Sequence, residues 1–269
     1  MTRLHRIPAY FEFARMAFLK ILAYRLRYLT GILTYFINVT VYTFIWRAIF
    51  SASDTVAGYD LPQMVTYVAV SWIIRSFYFN NIDRDMATEV AEGRIAISLI
   101  KPVDTQLMYV AQTSGEACFR AVMFTLPIAA VLFLAYPVRP PASPEAGAAF
   151  LCSCVLALLI FASINFIVGT FALRIQSIVG VIRAKYFVVE FLSGLLLPLS
   201  FFPERLQRLL LLLPFPHISY TPMQIYLGKL RGASALGALG LQLLWAASLF
   251  AAGRLFWRAS MKRLSVQGG

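Results

Sequence analysis

The residues of this chain best placed to do chemistry are charged side chains set inside apolar runs. Glu116 and Arg120 stand four apart, in the order that pairs on one face of a helix. Glu190 has no obvious partner beside it; Arg183 and Lys185 are the cations it could reach. Arg75 lies in another apolar run, close enough to its end for the guanidinium to snorkel toward the interface. Ionisable groups in such places are costly and functional by default, so these carboxylates could carry protons or ions, or could simply pair. Other chemistry finds little material. No Gly-x-x-x-x-Gly-Lys-Ser/Thr occurs, so a phosphate-cradling loop is missing and any ATP must be hydrolysed elsewhere. The histidines are His5 and His217, and Cys152 and Cys154 stand two apart, facing different ways on a helix, so no metal set assembles. A Ser-His-acid arrangement would rest on His217 alone. No catalytic, cofactor-binding or metal-ligating residue and no enzyme activity is therefore expected.

The elements that carry these charges are built for lipid. Hydrophobic residues make up 60% of the chain and charged ones 13%, against roughly 45–50% and about 25% in soluble domains. Several apolar runs approach or exceed the roughly 20 residues that cross a bilayer as a helix. They are continuous rather than alternating, which disfavours a β-barrel. The fold class is all-α, a polytopic membrane protein. No small-residue cleavage site follows the first apolar run, so no cleaved signal is expected.

Six spans are predicted: 29–50, 61–80, 106–136 with a bend at Pro127, 146–173, 186–202 and 233–257. Residues 1–28 interleave Arg3, Arg6, Arg15, Lys20, Arg25 and Arg27 with Phe11, Phe13, Phe18 and Leu22. This reads as an amphipathic helix lying on the membrane surface, or as a plain positive flank of the first span. With the N-terminus inside, sixteen of the 24 lysines and arginines fall on the cytoplasmic side and six outside. The positive-inside rule then places both termini in the cytoplasm, with 258–269 as a basic tail. The charge of +12 is thus a topology signal; membrane lipid, and no nucleic acid, is the expected partner.

Two stretches interrupt the lipid-like pattern. Segment 83–104, between spans two and three, holds five of the 12 acids: Asp83, Asp85, Glu89, Glu92 and Asp104. Gly93 can end a helix in a left-handed conformation, and Pro102 stops the next short run. Ile95, Ile97, Leu99 and Ile100 supply apolar anchors, with Arg94 and the acids as a polar rim. On charge pattern alone a solvated loop is an equal reading. The second stretch, 198–222, packs five of the 13 prolines around Leu206, Leu209, Leu210 and Leu213. A short amphipathic helix at the outer face fits, either dipping into the bilayer under protein cover or as an ordinary loop.

Glu89-Val-Ala-Glu92-Gly93-Arg94-Ile95-Ala-Ile-Ser-Leu99-Ile-Lys101-Pro102-Val103 resembles the cytoplasmic motif of ABC-2 type permeases. Gly194-Leu-Leu-Leu-Pro198-Leu-Ser-Phe-Phe-Pro203, with Leu213-Pro214-Phe215 and Tyr220-Thr-Pro222, resembles the same family's fifth-span and outer-hairpin pattern. The resemblance covers essentially the whole chain and is nearest a subgroup of paired permeases that includes viologen- and drug-export candidates. Arg94-Ile95 departs from the Thr-Leu common in the wider family.

The resemblance implies an ABC-2 exporter permease fold with an N-terminal interfacial helix, in a bacterial inner membrane. Two permease subunits, identical or related, would form the pathway, and a cytoplasmic ABC ATPase dimer would bind ATP and Mg. It implies a coupling element at Glu89, Glu92, Gly93, Arg94, Ile95, Leu99 and Lys101, and an outer hairpin at Pro198, Pro203, Glu204 and Pro214. The alternative from a different class is a proton- or ion-coupled carrier using Glu116, Arg120 and Glu190, although no repeat of the first three spans is evident in the last three.

Overall fold

The computed structural model describes residues 7–23, 26–175 and 177–262, with side chains described for 7–20 of the first helix and from residue 30 onward in the second. Arg3, Arg6, Arg25, Arg27 and Arg263, which contribute to the positive-inside count, and His5 lie outside the residues or side chains described.

The chain is helical. Helix α1 (Ile7–Ala23) is followed by α2 (Leu26–Phe50), α3 (Leu61–Tyr78), α4 (Ile82–Ala91), α5 (Ile95–Ile100) and α6 (Thr105–Arg120). A π-helical turn, Ala121–Thr125, joins α6 to α7 (Leu126–Ala135). Then come α8 (Pro144–Thr170), α9 (Val179–Leu192), α10 (Glu204–Leu211), α11 (Tyr220–Tyr226) and α12 (Ala233–Met261). Among the described residues, four stretches are long and apolar enough to cross a membrane: Thr30–Phe50, Thr105–Ala135, Pro144–Leu173 and Ala233–Met261.

Helix starts follow their caps. Asp60 accepts from Gln63 N at 2.6 Å in a capping box that opens α3, and Ser143 accepts from Ala146 N at 3.1 Å to open α8. The bend read at Pro127 takes the form of the π turn just before it. A proline there has no N–H for the carbonyl four residues back, and an inserted residue absorbs the mismatch.

Helix α8 is the hub. It packs on α12, α4, α11 and α3, and its C-terminal half is almost continuously buried. Gln242 of α12 donates to His217 O at 2.7 Å and accepts from Ser153 of α8 at 2.8 Å, tying α12 to the hub through groups that lipid could not satisfy. Helix α3, at 18 residues, is enclosed along most of its length from Met64 to Tyr78. The outward faces of α2 and α12 expose leucines, isoleucines and phenylalanine, as a lipid-facing or partner-facing surface would.

The predicted span 186–202 is not one helix. Helix α9 begins earlier, at Val179, and stops at Leu192. Fourteen residues rise about 21 Å, short of the roughly 30 Å hydrocarbon layer. Gly194 breaks the run at φ +79°, where a Cβ would lie 2.9 Å from Leu199 and 3.0 Å from Tyr220. The freed backbone is covered by protein: Tyr67 OH donates to Gly194 O, and Tyr220 N donates to Ser193 O at 2.9 Å. Beyond α10 the chain folds back inward, and every residue of α11 is buried, against α8 and α3.

Candidate functional site

Segment 83–104 folds as two helices joined by a tight turn. Helix α4 ends at Ala91; Glu92 N donates to Thr88 O at 3.0 Å and Gly93 N to Val90 O at 3.1 Å. Gly93 sits at φ +71°, the left-handed conformation read from its place after Glu92. Helix α5 then runs for six residues to Lys101-Pro102, and Asp104 caps α6 by accepting from Leu107 N at 3.0 Å.

The expected coupling residues divide by orientation. Ile95 is buried against the body and Leu99 is half-buried, so neither presents a face outward. Ile97 and Ile100, three apart on α5, are 57% and 81% exposed. Glu92, Gly93 and Arg94 are exposed beside them, with Arg94 paired to Glu92. Glu89 points inward and acts as a strut: it accepts from Ser98 Oγ at 3.2 Å and from Tyr109 OH at 2.9 Å, locking α5 and α6 to α4. Asp104 adds a second lock, since its carboxylate pairs with Arg254 of α12 and its backbone N–H donates to Tyr10 OH of α1 at 3.0 Å. A six-residue helix has little stability alone; here it is clamped from three directions while its apolar edge stays open.

Below this clamp lies a salt bridge that sequence reasoning missed. Lys185 Nζ of α9 lies 2.7 Å from Asp83 Oδ2 and 2.7 Å from Asn165 Oδ1 of α8. Asn165 Nδ2 donates in turn to Asn80 O at 3.0 Å and Asn80 Oδ1 at 2.9 Å, and the ammonium sits 3.6 Å above the Tyr186 ring. An asparagine within an otherwise apolar span was the available signal, since a polar group there needs a partner.

The intramembrane charges are paired as well. Glu190 reaches across the fold to Arg75, not to Arg183 or Lys185. Arg75 does not snorkel: its guanidinium packs over the Trp72 and Phe79 rings, 5.3 and 5.0 Å from their centroids, and donates to Tyr35 OH at 3.1 Å. Arg120 and Glu116 meet at 2.8 Å within α6. His217 is buried, with Nδ1 2.9 Å from Thr221 Oγ1. In the outer hairpin, Pro198 precedes a short 3-10 turn, Pro203 precedes α10, Glu204 pairs with Arg208 at 3.3 Å on the exposed side, and Pro214 opens a second 3-10 turn. Leu210 faces inward, whereas Leu206, Leu209 and Leu213 are exposed.

The family model for ABC-2 family transporter protein matches residues 36–268, from within α2 to the C-terminal end of the chain. The chain belongs to the ABC-2 transporter family. It is therefore a permease component of an ABC transporter, a multi-pass membrane protein and transport subunit, and membership implies association with an ABC ATPase. No curated protein matches the chain. The matched region contains α3 to α5 and the buried cluster at Lys185, while α1 lies before it.

Proposed function

We propose that this ABC-2 permease is half of an exporter and that its ATPase docks on the open edge of α5. The observation that carries this reading is the outward pair Ile97 and Ile100 on a short helix clamped by Glu89 and Asp104. Two large apolar side chains held rigidly in a polar rim are what a partner's pocket can grip. Clamping matters because a loose loop would absorb the motion of the motor, whereas a fixed element passes it on as a rigid-body shift.

On this reading the α4–α5 end and both termini face the cytoplasm of a bacterial inner membrane. A second permease subunit, identical or related, completes the substrate pathway, and ATP and Mg are bound by the ATPase dimer. Asp83–Lys185 and Arg75–Glu190 then link the docking end to α9, so that movement of α4 reaches the helix broken at Gly194. The carrier alternative would use Glu116 and Glu190, each of which here has an arginine partner.

Purifying the chain with candidate ABC ATPases tests the proposal. Ile97→Asp and Ile100→Asp should abolish co-purification while leaving the melting temperature unchanged. Undiminished co-purification would place the docking face elsewhere. Transport in ATPase-free proteoliposomes under a proton gradient would overturn the ATP-driven reading.

A further inference from the structure

A recess of about 440 Å³ opens between α1, α4, the ends of α5 and α6 from Tyr109 to Glu116. Its wall brings Lys20, Lys101 and Asp85 together with apolar surface from Phe13 and Met16. Other charges lining it are already engaged: Glu89 by Ser98 and Tyr109, Glu116 by Arg120, Arg94 by Glu92. Among the described residues, Lys20, Lys101 and Asp85 form no ion pair; the ammonium of Lys101 has only the Phe13 ring, 5.4 Å away. Two lysines and a carboxylate without a salt-bridge contact therefore share a pocket with an apolar side, where Lys20 acts on Asp85 only through space.

The position of the recess sets its depth in the membrane. Thr105–Ala135 spans 31 residues, about 46 Å of helix, against a hydrocarbon layer of roughly 30 Å. The excess must lie at one end, and the polar residues decide which. Thr105, Gln106, Gln112, Thr113, Ser114 and Glu116 precede Ala117, beyond which the run to Ala135 holds Arg120 as its one charge. The recess borders the polar portion, at Tyr109, Gln112 and Glu116, which puts it at headgroup level. Helix α1 runs beside that portion and the start of the apolar run: Gly115 lets the Ala14 backbone into contact, and Phe18 stacks edge-on with Phe119 at 5.2 Å. Ile7, Phe11, Met16 and Leu19 of α1 remain exposed, as expected of a helix with an acyl-facing side.

We propose that this recess binds the headgroup of an amine-bearing phospholipid, its phosphate held by Lys20 and Lys101, its ammonium by Asp85 and its acyl chains against α1. Crowding supports the carboxylate's part. Desolvation, with the charges of Glu116 and Glu89 added, pushes the Asp85 carboxyl up to about 6 despite the opposing effect of Lys20, and a bound ammonium would relieve that repulsion. Phosphate between two lysines makes charge-assisted hydrogen bonds, the stronger kind. The proposal rests on the membrane reading of the fold but not on ATPase docking, and it uses α1, which lies before the family match.

Native mass spectrometry of the detergent-solubilised full chain, titrated with phosphatidylethanolamine, phosphatidylglycerol or phosphatidylcholine, tests it. Phosphatidylethanolamine should be retained about five- to tenfold more strongly than the other two, the scale of one charge-assisted hydrogen bond, which the quaternary nitrogen of choline cannot donate. Lys20→Gln should weaken all three lipids, and Asp85→Asn should remove only the preference for the amine. Equal retention of the three lipids, or indifference to both substitutions, would overturn the proposal. So would equally tight binding of glycerophosphoethanolamine, which would mark the recess as a site for a soluble phosphate. ATPase co-purification measured on the same variants separates a failure here from a failure of the docking proposal.

Discussion

Lys185 Nζ and Asp83 Oδ2 meet at 2.7 Å with 6% and 0% of their side chains exposed. The pair fastens the first turn of α4 to α9, across a chain separation that no local pattern spans. Removing one partner leaves a buried charge alone, which costs about 3–5 kcal/mol. Lys185→Met should lower the melting temperature in detergent by several degrees, and Asp83→Leu with Lys185→Met should recover much of the loss. If the double variant is no better than the single, the pair is not a closed unit.

Glu89 and Ile97 should separate structure from docking. Glu89→Gln weakens two hydrogen bonds that hold α5 and α6, an expected loss of about 1–2 kcal/mol. Ile97→Asp removes only exposed apolar surface and should leave stability untouched while ATPase binding falls. Thermal melting and pull-down on the same preparations check both, and a melting loss in Ile97→Asp would contradict the clamped geometry.

Gly115 should control the seat of α1. A Cβ at this position would lie 1.9 Å from Ala14 O, backbone that cannot swing aside. Gly115→Ala should therefore push α1 off α6. Limited trypsin digestion would report it as faster cleavage after Arg15 and Lys20, and an unchanged digestion rate would show that α1 does not need the close approach.

Asp85 sets a pH dependence whose sign follows from its shift. Its pKa is raised from 3.8 to about 6 in the folded chain, so the native state binds more protons than the unfolded one between those values. Its contribution to stability is complete below 3.8 and is lost as pH rises through 6. Asp85→Asn should flatten melting temperature against pH across that window. A slope unchanged in the variant would assign it to another group.

Gly194 should tolerate no side chain. Its φ of +79° is a conformation that L residues avoid, and its neighbours are packed within 3.2 Å. Gly194→Ala should destabilise the fold by about 1–3 kcal/mol, the scale of a strained backbone position. Urea or thermal denaturation in detergent measures it; a neutral result would mean that the break after α9 adjusts freely.

Composition and local order alone determined the membrane class, the helical content, the bend before Pro127, the turn at Gly93 and the Glu116–Arg120 pair. Each depends on residues within a few positions of one another, where helix geometry and proline or glycine chemistry leave little choice. The family resemblance, carried by Glu92-Gly93 and the proline-rich hairpin, was equally local, and the family match bears it out. Tertiary structure alone decided which isoleucines of α5 face out, because a one-position change in helix phase turns a side chain by about 100° and only packing against α4 sets that phase. It also decided the partners of Glu190 and Asp83, 115 and 102 residues away, since a buried charge takes whichever counter-charge the folded chain brings beside it. The stop at Leu192 belongs to the same class: the apolar run 186–202 by itself predicts a span, but the interior formed by Tyr67, Leu199 and Tyr220 satisfies a broken backbone and so permits the break at Gly194.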